Sequence, residues 1–402
     1  MAQELLSFLI LISAGLFLSE LFRRFHLPYV VALIATGIII GPYFLDIFEP
    51  TQTTDFIGSV GLIFLMFMAG IEIRLSSLAK FKSKIAKISI LNGSIPFLVG
   101  FGIALYFGYG IVAAIMLGII FISSSIAVVI PSLEAMGLMN KKLGKVIVGS
   151  TMFEDVTSLV LLSVALQTIN PTTDMPLIIF YPLVFISMLA LKFIIPRLRW
   201  FLFQKSRKDK DLFEQDLRLV FATLIAVVII FDLLGMHAII AGFFAGLVLS
   251  ESIKSELLRK KLHAISYGLF IPAFFIIIGT EMELSVFGNI GDAALLAVAI
   301  IAGSVLSKLV SGYFGGRLAG FGKAQSRLIG ASTIPQLSTT LAVAFVGLET
   351  GIIDQRIVTI MILLSAVTTV LAPLLISWAK KDLAEGRNIG HREIKEQIDR
   401  TI

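Results

Sequence analysis

The chain has 402 residues, of which 57% are hydrophobic and only 15% are charged, and its mean hydropathy is +0.96. Because a soluble domain carries about 25% charged residues, this composition excludes a soluble protein and places most of the chain in a lipid bilayer. Cysteine is absent, which excludes disulfides, thiol nucleophiles and thiolate metal sites. The four histidines are widely spaced, so neither a metal centre nor another cofactor is expected.

Apolar stretches of about 20 residues, the length that crosses a bilayer, predict an all-α membrane protein with thirteen spanning helices. The first is expected to be a spanning helix rather than a signal peptide, because its basic pair, Arg23 and Arg24, follows the apolar stretch. The predicted helices cover residues 4–22, 28–45, 55–73, 86–107, 110–131, 143–168, 174–196, 215–235, 237–251, 264–283, 290–318, 326–348 and 354–378. Residues 1–381 are thus the predicted membrane domain, and 382–402 a short cytoplasmic tail.

Lysine and arginine are concentrated in alternate loops. The loop with Lys141 and Lys142 is basic, for example, whereas the loop with Asp46 and Glu49 has no cation. The positive-inside rule therefore predicts an outer N-terminus and a cytoplasmic C-terminus, most simply in a plasma membrane. The alternation also accounts for the net charge of +6 as a topology signal, so no nucleic-acid partner is expected.

Two predicted helices contain polar runs that break a helix. The residues concerned are Ser123, Ser124, Ser125 and Pro131 in the fifth helix, and Thr333, Pro335 and Ser338 in the twelfth. Non-helical backbone at membrane depth is tolerated only where it is buried in protein or lines a cavity. An odd separation of seven helices reverses the direction of entry, which is the pattern of inverted repeats around a transporter's central site. The alternative is a pair of kinked packing helices.

Three charges fall at membrane depth: Glu154 and Asp155 in the sixth predicted helix, and Lys308 in the eleventh. Each costs at least about 2.5–3.5 kcal/mol there. Neighbouring helical residues point about 100° apart, so one acid can face a cavity while the other faces a helix. A buried carboxylate can hold a proton or a bare cation but not both, and we expect the two to compete here. Lys308 is the expected counter-ion. The alternatives are a structural ion pair for the acids and a snorkelling anchor for Lys308.

Four segments resemble the signatures of monovalent cation:proton antiporters. They read LPYVVALIATGIIIGP over 27–42, FMAGIEI over 67–73, LGMHAIIAGFFAG over 234–246 and PAFFIIIG over 272–279. The similarity spans nearly the whole chain, and the motifs occur in family order. The chain therefore resembles the sodium/proton exchanger superfamily, in its branch of bacterial and archaeal Na⁺/H⁺ and K⁺-efflux antiporters.

This resemblance implies the sodium/proton-antiporter fold, with inverted repeats, two crossed broken helices and a homodimeric assembly. The moving core would comprise residues 55–168 and 264–378, and the intervening helices would form the dimerisation scaffold. Electrogenic members carry Asp-Asp at the site, electroneutral members Asn-Asp and potassium-efflux relatives Gln-Asp. Asp155 matches the second position and Glu154 departs from the first. Lys308 falls where electrogenic members carry their core lysine.

The sequence thus predicts a secondary antiporter, not an enzyme, that exchanges Na⁺ (with Li⁺ and K⁺ as alternatives) for protons. Asp155 is expected to bind the cation, Glu154 to assist or to carry the proton, and Lys308 to pair with the vacant site. Neutral oxygen ligands, which a hard cation favours, are expected from Ser124, Ser125 and Thr151. A cation channel, an organic-anion symporter on the same fold and a sensor without transport are the alternatives.

Overall fold

The computed structural model contains helices and no strands in the part of the chain that it describes. These residues are 2–24, 29–72, 79–139, 141–169, short stretches of 176–197, 214–234, 236–250, 253, 255–282 and 290–399. The helix predicted at 174–196 lies largely outside them, and so do the side chains of the predicted tail.

The described helices follow the predicted pattern closely. They are α1 (Ala2–Arg24), α2 (Tyr29–Ile40), α3 (Gln52–Glu72), α4 (Lys82–Tyr106), α5 (Ile111–Ile122), α6 (Ile126–Ala135), α7 (Lys142–Ile169), α8 (Gln215–Leu233), α9 (Ala238–Leu249), α10 (Glu256–Ile265), α11 (Ile271–Thr280), α12 (Ile290–Leu318), α13 (Lys323–Ser332), α14 (Ser338–Glu349) and α15 (Gln355–Asp399). A 3₁₀ turn, Ala79–Phe81, precedes α4, and a π-helical turn, Ser266–Phe270, joins α10 to α11.

Within the described residues, eight segments are long and apolar enough to cross a membrane. Three shorter apolar helices, α2, α9 and α14, have 12 residues each. The all-α membrane class is confirmed, and the count of thirteen spanning helices stays a prediction.

The chain divides into two compact units. The first comprises residues 1–75 and 162–285, and the second comprises 76–161 and 286–402. These boundaries differ from the predicted core at 55–168 and 264–378, since α3 and α11 belong to the first unit. The assignment of a moving core and a scaffold stays a prediction.

In the first unit, glycines allow helix backbones to touch. A Cβ atom added at Gly37 of α2 would lie 1.9 Å from the Ile276 carbonyl oxygen of α11, and one added at Gly279 would lie 2.2 Å from the Ile34 carbonyl oxygen. Gly70 of α3 and Gly246 of α9 form an equivalent contact. Close approach through small residues stabilises helix pairs in lipid, where apolar side chains gain little from leaving their surroundings.

These contacts give the antiporter-like motifs a structural meaning. Gly37, Gly70, Gly246 and Gly279 each come from one of the four segments that carry the resemblance. One glycine of each motif therefore serves helix packing in the first unit and is not part of an ion-binding site.

Gly37→Ala is expected to destabilise the protein by at least about 1–3 kcal/mol, because the added methyl group meets backbone that cannot rotate away. Gly102→Ala is the matched control, since a Cβ there meets nothing within 4 Å. Removing an exposed helical glycine should be neutral or stabilise by up to about 1 kcal/mol. Unfolding in detergent measures both, and equal midpoints for the two variants would contradict the packing described here.

The second unit contains two segments built in the same order: a long helix, a broken helix and a long helix. The first is α4, α5/α6 and α7 up to residue 161, and the second is α12, α13/α14 and α15. Helix α4 packs against α5 and α12, while α15 packs against α13 and α14. Contacts of α5 with α14 and of α6 with α15 bring the two broken helices together. This order agrees with the predicted internal repeat.

Candidate ion-binding site

Both predicted breaks are present. The first is a three-residue gap between α5 and α6, at residues 123–125, and the second separates α13 from α14 at residues 333–337. All of these residues are buried, so their backbone groups have no access to water and need partners within the protein.

The two breaks supply these partners to each other. The backbone N–H of Ser125 donates to the Pro335 carbonyl at 2.5 Å. The Ser124 hydroxyl lies 2.8 Å from the Thr333 carbonyl and shares its single proton between this oxygen and Glu154. The Gln336 amide Nε2 donates to the Phe121 carbonyl at 3.3 Å. Each interrupted helix is therefore stabilised by the other, which explains why the sequence contains two.

Of the other residues predicted for the breaks, Ser123 lies within a gap, Ser338 lies at the edge of one, and Pro131 lies beyond one. The Ser123 hydroxyl lies 2.7 Å from that of Thr340, a further bond between the two broken helices. Ser338 begins α14. Pro131 belongs to the same broken helix as Ser123 but lies inside α6, six residues beyond the gap. The helix ends at the serines, whose hydroxyls can bond to partners across the gap, while proline is tolerated where the helix continues.

Glu154 is the most completely bonded acid of the site. Its side chain is fully buried in α7. Oε1 accepts from the Asn92 amide at 2.9 Å, and Oε2 accepts from the Ser124 hydroxyl at 2.7 Å and from the Lys308 ammonium at 3.0 Å. A buried charge needs this degree of pairing to be tolerated.

Lys308 is also fully buried, which does not fit a snorkelling anchor. Its Nζ forms an ion pair with Glu154 at 3.0 Å. It also donates to the Ile122 carbonyl at 2.5 Å and to the Ser124 hydroxyl at 2.9 Å. All three donor positions of the ammonium are used.

Asp155 follows Glu154 in the chain but has a different environment. Its side chain is 6% exposed. Its Oδ1 accepts from the backbone N–H of Ser124 at 3.3 Å, and the Thr339 hydroxyl bonds to the same carboxylate. No ion pair of Asp155 occurs among the described residues. The roughly 100° turn between adjacent helical positions therefore separates one acid held by a cation from one held only by neutral donors.

The ends of the half-helices match these charges. A helix N-terminus favours an anion and a C-terminus favours a cation, because the backbone dipoles align with the axis. Asp155 bonds to Ser124, just before α6, and to Thr339, at the start of α14. Lys308 bonds to Ile122, the last residue of α5. The broken helices thus provide two N-termini beside Asp155 and one C-terminus beside Lys308.

The charges within this cluster do not balance. Glu154 and Lys308 neutralise each other, and Glu154 and Lys308 are also the charged groups that act on Asp155. With both acids ionised the set carries one negative charge. Since an uncompensated buried charge is costly, Asp155 should take up either a proton or one monovalent cation.

The predicted neutral ligands differ in how fully they are used. The Thr151 hydroxyl donates to Ile147 of its own helix at 3.1 Å, on the same face as Asp155 one turn later. The hydroxyl oxygen of Ser125 and the amide oxygen of Gln336 are both buried, and neither has a hydrogen-bond partner among the residues that the structure describes. Buried oxygens of this kind are suitable ligands for a hard cation. Gln336 was not among the residues predicted for the site.

Sequence reasoning also missed Asn92 and Ser311. Asn92 is fully buried in α4 and donates to Glu154, while its own amide oxygen accepts from the Ser311 hydroxyl of α12. Ser311 lies one turn after Lys308, so a single helix supplies both the ammonium and the group that orients Asn92. A single asparagine in an apolar helix was the only available signal.

Asn92→Ala should destabilise the protein by about 1–3 kcal/mol, because it leaves a buried carboxylate oxygen without a donor. Ser311→Ala is the graded comparison: it removes one neutral bond and keeps the bond to Glu154, so about 0.5–1.5 kcal/mol is expected. Unfolding midpoints in detergent rank the two. A larger loss for Ser311→Ala would show that Asn92 does not support Glu154.

The profile of the family described as "Sodium/hydrogen exchanger, transmembrane" matches residues 8–381. The chain belongs to the sodium/hydrogen exchanger family. Its membership confirms the family resemblance and the prediction that the protein is a transporter rather than an enzyme. It does not favour the alternative predictions of a channel or an organic-anion symporter.

Individual members of the exchanger family are similar along nearly their whole length. The probable Na⁺/H⁺ antiporter 3 of Methanocaldococcus jannaschii is 30% identical over 378 residues, which are 92% of this chain and 95% of that protein. The Na⁺/H⁺-K⁺ antiporter GerN of Bacillus cereus is 27% identical over 374 residues, or 92% and 94%. The solved structure of the sodium proton antiporter MjNhaP1 from M. jannaschii at pH 8 has the same fold, with a TM-score of 0.66 at 19% identity over 92% of this chain and 95% of that one.

Proposed function

We propose that this exchanger transports Na⁺ in one direction and protons in the other, and that the two compete for Asp155. The observation that carries the proposal is the unbalanced buried charge: Lys308 is fully engaged with Glu154, and Asp155 has only neutral donors. A proton and a Na⁺ ion each restore neutrality, and they cannot do so together. Competition for one carboxylate is sufficient to couple two fluxes when the site opens to one side at a time.

The proposed Na⁺ ligands surround the two breaks. Asp155 supplies the charge, and the oxygens of Ser125 and Gln336, which have no hydrogen-bond partner in the described part of the chain, are available to add neutral ligands. The expected ligand role of Ser124 stays a prediction, and we propose a different role because its hydroxyl already bonds to Glu154 and Thr333. We propose that the Ser124 hydroxyl connects the two broken helices to the Lys308–Glu154 ion pair, and that the Ser124 N–H group positions Asp155.

Glu154 and Lys308 take a structural part in this proposal. Lys308 was expected to be the counter-ion of the acidic pair, and its ion pair is with Glu154, the first of the two acids. The pair fixes the charge around Asp155 at a value that one monovalent cation or one proton can neutralise. If the Lys308–Glu154 ion pair stays closed, that is, intact throughout the transport cycle, one proton is exchanged for one Na⁺ ion. No net charge then crosses the membrane.

We further propose a homodimer in the plasma membrane, with the N-terminus outside and the C-terminus in the cytoplasm. The orientation is supported by the alternation of basic loops along the chain.

The test is a flux assay in liposomes that contain the purified protein and an internal pH dye. External Na⁺ should raise the internal pH, and external choline should not. Replacing Na⁺ by Li⁺ or K⁺ and comparing the rates of proton movement determines the cation selectivity. Valinomycin clamps the membrane voltage when K⁺ is not the test ion. Absence of proton movement with every cation would refute the antiporter proposal.

The same liposomes test the stoichiometry. A rate that does not change with the clamped voltage is expected if the Lys308–Glu154 pair stays closed. A rate that follows the voltage would show that net charge is carried and would contradict an ion pair that stays closed.

A further inference from the structure

An apolar groove opens at the surface of the second unit. Its volume is about 270 Å³, and its lining includes Leu309, Tyr313, Phe314, Arg327, Leu375 and Trp378. Phe314 and Trp378 are 54% and 59% exposed, so the groove faces the surroundings of the protein and not its core. In a spanning protein, those surroundings are lipid.

One end of this groove is cationic. Helices α12 and α13 run antiparallel: Gly330 lies against Leu309 and Gly316 lies against Ser326. Arg327 directly follows Ser326, so it lies near the turn at residues 319–322 that joins the two helices. Arg317 and Lys323 flank that turn, and the Lys84 ammonium donates to the Ala319 carbonyl within it. The groove is therefore apolar along its length and basic where the two helices meet.

We propose that an anionic phospholipid binds in this groove. An acyl chain would lie along the apolar lining, and the phosphate would contact the Arg327 guanidinium, whose planar donors suit phosphate oxygens. The aromatic side chains of Tyr313 and Trp378 are typical of the boundary between hydrocarbon and headgroups. Charge complementarity favours an anionic over a zwitterionic lipid, since each cation near an anionic membrane surface contributes about 1 kcal/mol.

Two residues that line the groove lie close to residues of the ion-binding site along the chain. Leu309 directly follows Lys308 on α12, and Ala331, which lines the groove as well, precedes the last residue of α13 before the break. A bound lipid would therefore pack against the helices that position the buried ammonium and one of the broken ends. This makes the groove a place where lipid composition can affect transport.

The test measures lipid binding to the purified full-length protein in detergent by native mass spectrometry. Phosphatidylglycerol and phosphatidylcholine with the same acyl chains are compared, so that only the headgroup charge differs. Phosphatidylglycerol should bind more tightly and raise the unfolding midpoint. Arg327→Gln should weaken its binding about fivefold, the equivalent of one lost cation. Lys142→Gln, which removes an exposed cation from another helix of the same unit, should change it less than twofold.

A second variant tests the apolar part of the groove. Val310 lines it and is 46% exposed, so Val310→Trp fills the groove without entering the core. This variant should weaken the binding of both lipids.

Three results would overturn the proposal. They are equal binding of the two lipids by the unmodified protein, equal losses in Arg327→Gln and Lys142→Gln, and an altered oligomeric mass of Val310→Trp with unchanged lipid binding. The last would identify the groove as a contact between copies. None of these measurements depends on transport, so they stand or fall separately from the proposed antiport.

Discussion

Asp155→Asn is expected to abolish cation-dependent proton movement in liposomes. Asparagine keeps the shape of the side chain and an oxygen that can accept from the Ser124 N–H group, but it holds neither a titratable proton nor a charge. Loss of one unit charge about 4 Å from a cation costs about 4 kcal/mol at the effective dielectric constant of proteins. This corresponds to about a 1,000-fold loss of cation affinity.

Asp55→Asn is the matched control for this experiment. It makes the same chemical change at an exposed carboxylate in the first turn of α3, outside the site, and it should transport normally. Both variants should keep the unfolding midpoint of the unmodified protein to within a few degrees, because Asp155 takes part in no ion pair among the described residues. Cation-dependent proton flux in Asp155→Asn at a normal rate would exclude Asp155 as the shared binding group.

Lys308→Met is expected to destabilise the protein by about 3–5 kcal/mol, the cost of leaving one member of a buried ion pair without its partner. The loss arises from Glu154, which keeps its buried position and loses its counter-charge. Glu154→Gln alone should be destabilising for the converse reason, since the buried ammonium remains.

The double variant Glu154→Gln/Lys308→Met distinguishes an ion pair from two unrelated contacts. Removing both charges should recover most of the stability, because replacement of a whole buried pair by neutral groups is often neutral or stabilising. Denaturant unfolding of all four proteins gives the interaction energy directly. Additive losses would show that Lys308 and Glu154 do not support each other.

The same double variant separates structural from transport roles. It retains Asp155 with its two neutral donors, so we expect it to exchange one cation for one proton, more slowly than the unmodified protein. A complete loss of flux in a stably folded double variant would assign Glu154 or Lys308 a direct part in the transport cycle.

The antiporter-like motifs and the ion-binding site provide different kinds of information. The four motif segments lie in the first unit, where Gly37 and Gly279 allow two helices to touch. The buried charges and the two breaks lie in the second unit. The motifs that identify the family therefore contain glycines that pack helices together. The candidate ion-binding residues were indicated instead by the free-energy cost of placing charges in lipid.

Much of the architecture could be predicted from amino-acid composition and pattern. In lipid, every backbone polar group needs a partner within the protein, so long apolar stretches predict helices, and polar runs within them predict breaks. The same solvent makes any charge at membrane depth costly, which singled out Glu154, Asp155 and Lys308 without any knowledge of their neighbours.

The pairing of these groups required the folded structure. Glu154 and Asp155 are adjacent acids, and nothing local indicates that Lys308 binds the first and leaves the second to neutral donors. That choice depends on contacts between residues far apart in the chain: Asn92 and Ser311 around Glu154, and the ends of two half-helices around Asp155. The cost of burial is a property of each residue alone, and can be estimated from sequence. The compensation for that cost comes from neighbours in space, which only the tertiary structure brings together.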